Sequence, residues 1–376
     1  MVRVAIDVFS ARLATGLGGY TRDITRNLIY YFPSIDWYLF GDSVSLGNIE
    51  EGINAERINL AGSKFGNDHF FPSIQERHIW RWLVGHHLKN YSIDLFYGPT
   101  YFLPFGNDLP PMVSTIPDVL FKTRPEDYPL TVRNFYHGVT KDACSRSHAI
   151  TCISQETKNE LYSFYPVDTE KVHVIYPGID PVFCPSTEQE ISRVRQKYNL
   201  PEKYILCIIG GYIGRKNIEK ILAGYGEVRE SFGVNTPSLV IISLNLSDYL
   251  DIKKQSLLHC QIIPYVMHED LVGVISGATT LLHPTLAEGF GLPVLEAMAC
   301  GVPVITSEIP IFIETTNGNA IFVDPDNASD IAKGIKKVLS PGESEKYVTS
   351  GIIRSKFFSW KRSAQQMMDV FKMLIE

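Results

Sequence analysis

Several things that would point to other kinds of protein are scarce or missing in this sequence. There is no C-x-x-C pair: Cys144, Cys152, Cys184, Cys207, Cys260 and Cys300 are scattered, without a histidine cluster at zinc-site spacing. That pattern excludes a disulfide scaffold and a zinc module, and suits a reducing compartment. Positive charge is not in excess, since 35 Lys and Arg face 41 Asp and Glu for a net charge of −6. Nucleic-acid binders carry a basic face, so that class is disfavoured, although a local basic patch is still allowed. No apolar run is long: the stretch Tyr204 to Ile213 contains two glycines and falls short of the roughly 20 residues that span a bilayer. Arg3 and Asp7 stand where a secretory signal would need its apolar core, so the N-terminus reads as a first strand. The expectation is a cytoplasmic protein that can touch the inner face of a membrane without crossing it. Repeats and low-complexity tracts are also lacking.

What is present is ordinary globular material, with 45% hydrophobic residues, 20 Phe and 19 Tyr among 376 residues. At roughly 100–200 residues per core, that length predicts two domains and a cleft between them. In the first half, apolar runs at Val2–Val8, Trp37–Phe40, Leu95–Tyr97, Met112–Ile116, Ala149–Ile153 and Val172–Tyr176 alternate with helical patterns. A glycine-rich loop, Gly16-Leu-Gly-Gly19, separates the first strand from a helix over Tyr20–Tyr31. This alternation predicts a parallel sheet covered on both faces. Three prolines within Pro177-Gly-Ile-Asp-Pro-Val-Phe-Cys-Pro185 place the interdomain link there. A second α/β unit follows, with strands at Tyr204–Ile209, Ser238–Ile242, Ile262–Ile263, Thr280–His283, Val302–Thr306 and Ala320–Val323. The tail from Trp360 to Leu374 reads as one amphipathic helix. Trp80 and Trp82 lie in a helical stretch, Ile74–Lys89, that mixes aromatic and basic residues; packing with a rim of snorkelling charges is favoured there over a membrane-surface helix.

The densest chemistry lies in Ala287-Glu-Gly-Phe-Gly-Leu-Pro-Val-Leu-Glu296-Ala-Met-Ala-Cys-Gly301. The pattern is strand, loop, helix, strand, with Pro293 in a first helical turn and Gly301 past the helix end. Such a loop falls at the carboxyl ends of parallel strands, where open α/β sheets bind ligands. Gly289 and Gly291 clear the approach to backbone N–H groups and a positive helix end, and Glu288 with Glu296 suits polyol hydroxyls. The bland alternative is that both glutamates only solvate or cap a helix.

This segment resembles the signature of the family-four retaining glycosyltransferases, in which two glutamates are separated by seven residues. The resemblance implies that Glu296 grips the nucleotide ribose, that Glu288 lies by the donor sugar, and that the backbone of Phe290, Gly291 and Leu292 contacts sugar hydroxyls and phosphate. A second segment, Gly210-Gly-Tyr-Ile-Gly-Arg215-Lys216-Asn217, places two cations between a strand and a helix, where they can offset a diphosphate's charge. It is similar to the family's G-x-x-x-x-R-K-N segment, whose basic residues neutralise the departing diphosphate. Gly211 stands where some members have a further arginine, which leaves the charge to Arg215 and Lys216.

Gly18 and Gly19, in Thr15-Gly-Leu-Gly-Gly-Tyr20, resemble the family's glycine loop over the donor phosphate and the acceptor. A nicotinamide-binding fingerprint is not met, because residues intervene after the strand and the third glycine is missing. Pro117-Asp118 stands where the family commonly has His-Asp; Asp118 is a candidate for sugar or acceptor contacts, and equally a turn residue or helix cap. Ser154 is an expected N-cap first and a ligand contact second. Tyr265 and Val266 match positions that line the base pocket in the family, and equally suit the core at a strand end. Together with Asp94-Leu-Phe-Tyr-Gly-Pro, Val174-Ile-Tyr-Pro-Gly-Ile-Asp180 and Phe358-Ser-Trp360, the resemblance runs over most of the chain.

It implies two Rossmann-like domains facing across a cleft, the GT-B arrangement. Residues 1–183, with the returning helix 356–376, would take the acceptor, and residues 184–355 the donor. The expected activity is transfer of a hexose, mannose from GDP-mannose as the first choice and UDP-hexoses as alternatives, to a saccharide or lipid-linked saccharide in surface polysaccharide synthesis. No cofactor or metal is expected. An epimerase or hydrolase of the same fold, and a noncatalytic sugar-nucleotide binder, are the rival readings.

Overall fold

The computed structural model describes residues 2–13, 15–49, 53–60, 73–210, 214–243 and 259–375. The chain divides into two compact units, one made of Met1–Gly178 with Ser359–Glu376, the other of Ile179–Phe358.

In the first unit the described elements run β1 (Arg3–Asp7), α1 (Gly16–Tyr31), β2 (Asp36–Gly41), α2 (Ser43–Gly47), β3 (Glu56–Asn59), α3 (Ile74–Leu88), β4 (Leu95–Gly98), β5 (Met112–Ile116), α4 (Leu120–Thr123), α5 (Leu130–Arg146), β6 (Ala149–Cys152), α6 (Gln155–Phe164) and β7 (Val172–Val174). The strands form one parallel sheet in the order β3-β2-β1-β4-β5-β6-β7. Every residue of β4, β5 and β6 is buried, as a sheet covered on both faces requires. Its order reverses between β1 and β4, so the carboxyl ends of those two strands form the crevice where such sheets take ligands.

Two expectations change here. The glycine run is not a loop: α1 starts at Gly16 after the N-cap Thr15, so Gly18 and Gly19 lie in its first turn. Close packing accounts for it, because a Cβ on Gly18 would sit 1.9 Å from the Leu13 carbonyl oxygen. Strand β3 was not anticipated. Its four residues, Glu-Arg-Ile-Asn, bury only Ile58 and pair with β2 alone, and an edge strand needs no continuous apolar run.

Helix α3 packs as a core element. Trp80 is buried, its ring stacks on Phe9 at 4.3 Å, and its Nε1 donates to Asp7 Oδ1 at 3.0 Å. Val84 and Leu88 are buried beside it, whereas Ile79 and Trp82 face outward.

The second unit holds α7 (Glu188–Lys197), β8 (Tyr204–Ile208), α8 (Ile218–Phe232), β9 (Ser238–Ile242), β10 (Cys260–Ile263), α9 (His268–Ser276), β11 (Thr280–His283), α10 (Leu292–Ala299), β12 (Val304–Ser307), α11 (Pro310–Thr316), β13 (Ile321–Val323), α12 (Ala328–Leu339) and α13 (Glu345–Ser355). Its sheet is parallel in the order β10-β9-β8-β11-β12-β13. The core joins Ile205, Cys207, Leu239, Ile241, Leu282 and Ile305 of the sheet to Ile221, Tyr225, Ile331 and Ile335 of α8 and α12. Here the order reverses between β8 and β11.

The final helix, α14 (Trp360–Ile375), belongs to the first unit. Its buried face carries Ala364, Met367, Met368, Val370 and Phe371. Trp360 meets Tyr20 at 6.0 Å and Phe371 meets Tyr97 at 5.3 Å between ring centroids. Ser363 Oγ donates to the Tyr176 carbonyl at 2.6 Å.

Candidate active site

The two motif segments of the second unit leave neighbouring strands, β8 and β11, at the point where strand order reverses. After β8 the chain makes a 3-10 turn over Gly214–Lys216, and Asn217 follows in the left-handed region at φ 61°. Asparagine tolerates that conformation better than most residues. Its Nδ2 then donates to the carbonyls of Pro284, at 3.0 Å, and Pro325, at 2.7 Å, tying the turn to the ends of two other strands. Leu286 N donates to the Arg215 carbonyl at 2.8 Å. Both cations are thereby fixed at the carboxyl edge of β11.

There they converge on one carboxylate. Arg215 Nη1 donates to Glu288 Oε2 at 2.5 Å and to the Ala287 carbonyl at 2.9 Å, and Lys216 Nζ donates to the same Oε2 at 2.6 Å. Lys216 is only 5% exposed. Burial disfavours the charged carboxylate, but Arg215 and Lys216 outweigh it and hold Glu288 well below the usual carboxylate range. Burial also pulls the Lys216 ammonium down, and Glu288 is the group that opposes the fall. The trio therefore carries one net positive charge close to a helix end.

That helix is α10. Gly291 is its N-cap at φ 89°, and a Cβ there would lie 2.5 Å from the Phe312 ring. Pro293 occupies the first turn, which holds no acidic residue, so the positive end of the helix dipole has no counter-charge from its own first turn. Leu292 opens the helix, and Glu296 lies half-buried one turn further on. Phe290 is buried and packs edge-on against Phe358 at 5.5 Å, which leaves its backbone, not its ring, as the part for a ligand.

Sequence reasoning passed over three residues at this edge. His283 ends β11 with 2% exposure, and its Nε2 finds no hydrogen-bond partner among the described residues. Burial first, and then Lys216, push its imidazole down to about 3, so it is neutral. Thr285 is also buried, and its Oγ1 is likewise unpartnered among the described residues. Buried orphan polar atoms are uncommon, and these two stand beside the motif. Asn217, noted only as part of the basic segment, is the clamp that holds it. A histidine and a threonine flanking Pro284 directly after an apolar strand were the available signal.

The other candidate residues are distributed as follows. Tyr265 is exposed and Val266 buried, just after β10. Gly211 lies outside the described residues. In the first unit, a Cβ on Gly19 would approach nothing closer than Arg22 Nη2 at 3.8 Å. Asp118 follows β5 and Pro117; its Oδ1 accepts from Leu120 N and from Tyr101 Oη, both at 3.1 Å, so it serves as a turn residue. Ser154 is fully buried and caps α6, accepting from Thr157 N at 3.0 Å. Among the described residues no group of three or more His, Cys, Asp or Glu could hold a metal ion, and no helix is long and apolar enough to cross a membrane.

Two parallel α/β units of this kind, the second with its ligand edge formed by a glycine-capped helix and a basic turn, define the GT-B class. Residues 51–183 match the family model Glycosyltransferase Family 4, and residues 190–352 match that of Glycosyl transferases group 1. The chain is a glycosyltransferase, with a family 4 domain followed by a group 1 domain. It is 26% identical over 298 residues to O-antigen chain mannosyltransferase B of Escherichia coli, covering 76% of each chain. Its fold is similar to that of sucrose-phosphate synthase from Thermosynechococcus elongatus, with a TM-score of 0.78 at 18% identity over 100% of this chain and 99% of that one. It also matches Anabaena HepE in complex with UDP and glucose, with a TM-score of 0.76 at 17% identity over the full length of both.

Proposed function

We propose that this glycosyltransferase moves a hexose, mannose in first place, from a nucleotide-diphosphate donor to a saccharide or lipid-linked saccharide acceptor, with retention at the anomeric carbon and without a metal. The observation that carries the reading is the convergence of Arg215 and Lys216 on Glu288 beside the N-terminus of α10. In the transfer, the bond from the sugar's anomeric carbon to the terminal phosphate oxygen breaks and its electron pair leaves with the diphosphate. The acceptor hydroxyl oxygen bonds to the same face, and its proton passes to the departing phosphate. Charge grows on the diphosphate, and preorganised cations and a helix end placed where charge develops are the groups that lower such a barrier. Glu288 opposes the loss of the Lys216 proton and holds both cations in place, Glu296 holds the ribose, and the backbone of Phe290, Gly291 and Leu292 meets sugar and phosphate. Residues 1–183 would take the acceptor and 184–355 the donor.

Mannose and GDP are preferred because the Escherichia coli relative is named as an O-antigen chain mannosyltransferase; UDP-hexose is the second choice, since HepE was captured with UDP and glucose. The same relative, named for the O-antigen chain, favours surface polysaccharide as the product. A thermal-shift panel of GDP, UDP, GDP-mannose and UDP-hexoses tests the donor. One nucleotide class should stabilise the wild type and lose roughly tenfold or more in affinity with Glu296→Ala, the worth of a hydrogen bond to a charged group. Lys216→Ala should depress turnover more than donor affinity. Equal responses to all nucleotides, or none, would refute the donor site.

A further inference from the structure

A cavity of about 350 Å³ opens in the first unit beyond the carboxyl end of β5, lined by Phe121, Lys122, Pro125, Arg133, Asn134 and His137. It lies within the roughly 300–1,000 Å³ range of small-molecule sites. Its lining has two cationic side chains, Lys122 and Arg133, one imidazole, His137, and no acidic residue. Lys122 forms no ion pair among the described residues, and Arg133 makes only a 3.4 Å bond to the Pro125 carbonyl. Neighbouring Arg124 differs, being paired with Glu126 and Asp127. The cavity is also braced from below. Buried Tyr165 holds His137 Nδ1 through its Oη at 2.9 Å, and Lys122 Nζ stands over its ring at 6.0 Å.

Unpaired cations gathered at one cavity repel each other, and on a chain whose net charge is −6 nothing in bulk composition requires them there. We infer that this cavity is an anion subsite, taking a phosphate or diphosphate ester through Arg133 and Lys122, with Asn134 and His137 supplying neutral hydrogen bonds. An arginine fork matches phosphate oxygens two at a time, and a lysine adds a point charge. Its position, on the segment that leaves β5 at the ligand edge of the sheet, assigns the anion to the acceptor: a phosphorylated or diphosphate-linked saccharide. That last assignment rests on the transferase reading above, whereas the anion affinity of the cavity does not.

The test is titration of inorganic pyrophosphate into full-length protein by calorimetry, in a Lys216→Ala background that weakens the competing basic turn of the second unit. The double variant Lys122→Ala/Arg133→Ala should weaken pyrophosphate binding tenfold or more. Asn134→Asp, which alters an exposed residue and so leaves the fold intact, should weaken it as well. With Lys216 intact, the donor nucleotide's thermal shift should be the same with and without these changes. Loss of that shift in the wild type would count against the donor site alone. Pyrophosphate affinity unchanged within twofold in both variants, or no binding in the Lys216→Ala background, overturns the subsite. So does the pattern in which phosphatidylglycerol vesicles, against phosphatidylcholine controls, lose binding in the double variant while pyrophosphate never binds, since the basic cluster then meets a lipid surface.

Discussion

Replacing Glu288 by Gln is the most informative single perturbation of the site. The amide keeps the shape of the carboxylate and removes its charge, so Lys216, 5% exposed, loses its counter-ion, while the 2.9 Å bond from Arg215 to the Ala287 carbonyl is untouched. Leaving one partner of a buried pair uncompensated typically costs about 3–5 kcal/mol. For a unit of this size each kcal/mol moves the melting temperature by roughly 2–4 °C, so the expected fall is about 6–20 °C by thermal denaturation. The pH dependence has a fixed sign. Glu288 is held below its ordinary 4.5, so its stabilisation is fully present above that pH and fades as the pH drops further. The gap between wild type and Glu288→Gln should thus be constant at neutral pH and narrow below about 4.5. A double-mutant cycle with Lys216→Met isolates the pair. Coupling of about 2 kcal/mol is expected, and additivity within about 0.5 kcal/mol would refute the account.

Three further outcomes follow from the same geometry. Gly291→Ala forces a Cβ to within 2.5 Å of the Phe312 ring at φ 89°, so it should cost about 1–3 kcal/mol in chemical denaturation and weaken donor binding through a displaced helix start. Asp7 behaves oppositely to Glu288: burial lifts its carboxyl to about 6, against the pull of the Phe9 N–H, Trp80 and Arg77. Stability from this group therefore declines as the pH rises from 3.8 to about 6, by at most about 3 kcal/mol, and Asp7→Asn should flatten that slope. Ser154→Ala removes the N-cap of α6 and should cost about 1 kcal/mol by thermal shift, with donor affinity unchanged.

Sequence legibility followed the strength of local signals. Strands β8 and β11 are readable because their apolar runs end at Gly210 and Pro284, β12 because Gly301 and Pro303 stand before it, and α10 because Pro293 and Gly301 bracket it. Arg215, Lys216 and Glu288 could each be picked out, but their meeting at one oxygen depends on β8 pairing with β11, through Ile205 opposite Thr280, which periodicity does not encode. The start of α1 differs from the expected loop because four residues with three glycines have a loop's composition; what the composition does not show is that position 18 must be glycine for the helix to pass the Leu13 carbonyl. His283 is visible in the sequence beside Pro284, but its burial is not. Its burial comes from elements distant in sequence, Phe312 of α11 among them at 5.8 Å.

The return of α14 to the first unit also orders events during synthesis. The second unit is one uninterrupted segment, Ile179–Phe358, whereas the first needs Ser359–Glu376 to cover Tyr20 and Tyr97. At about 5–20 residues per second, a nascent chain that has released β7 waits roughly 10–40 s for its last helix, with that apolar face open on the ribosome. The unit begun first is finished last, so premature termination just before Trp360 would yield a complete second unit joined to a first one that cannot close.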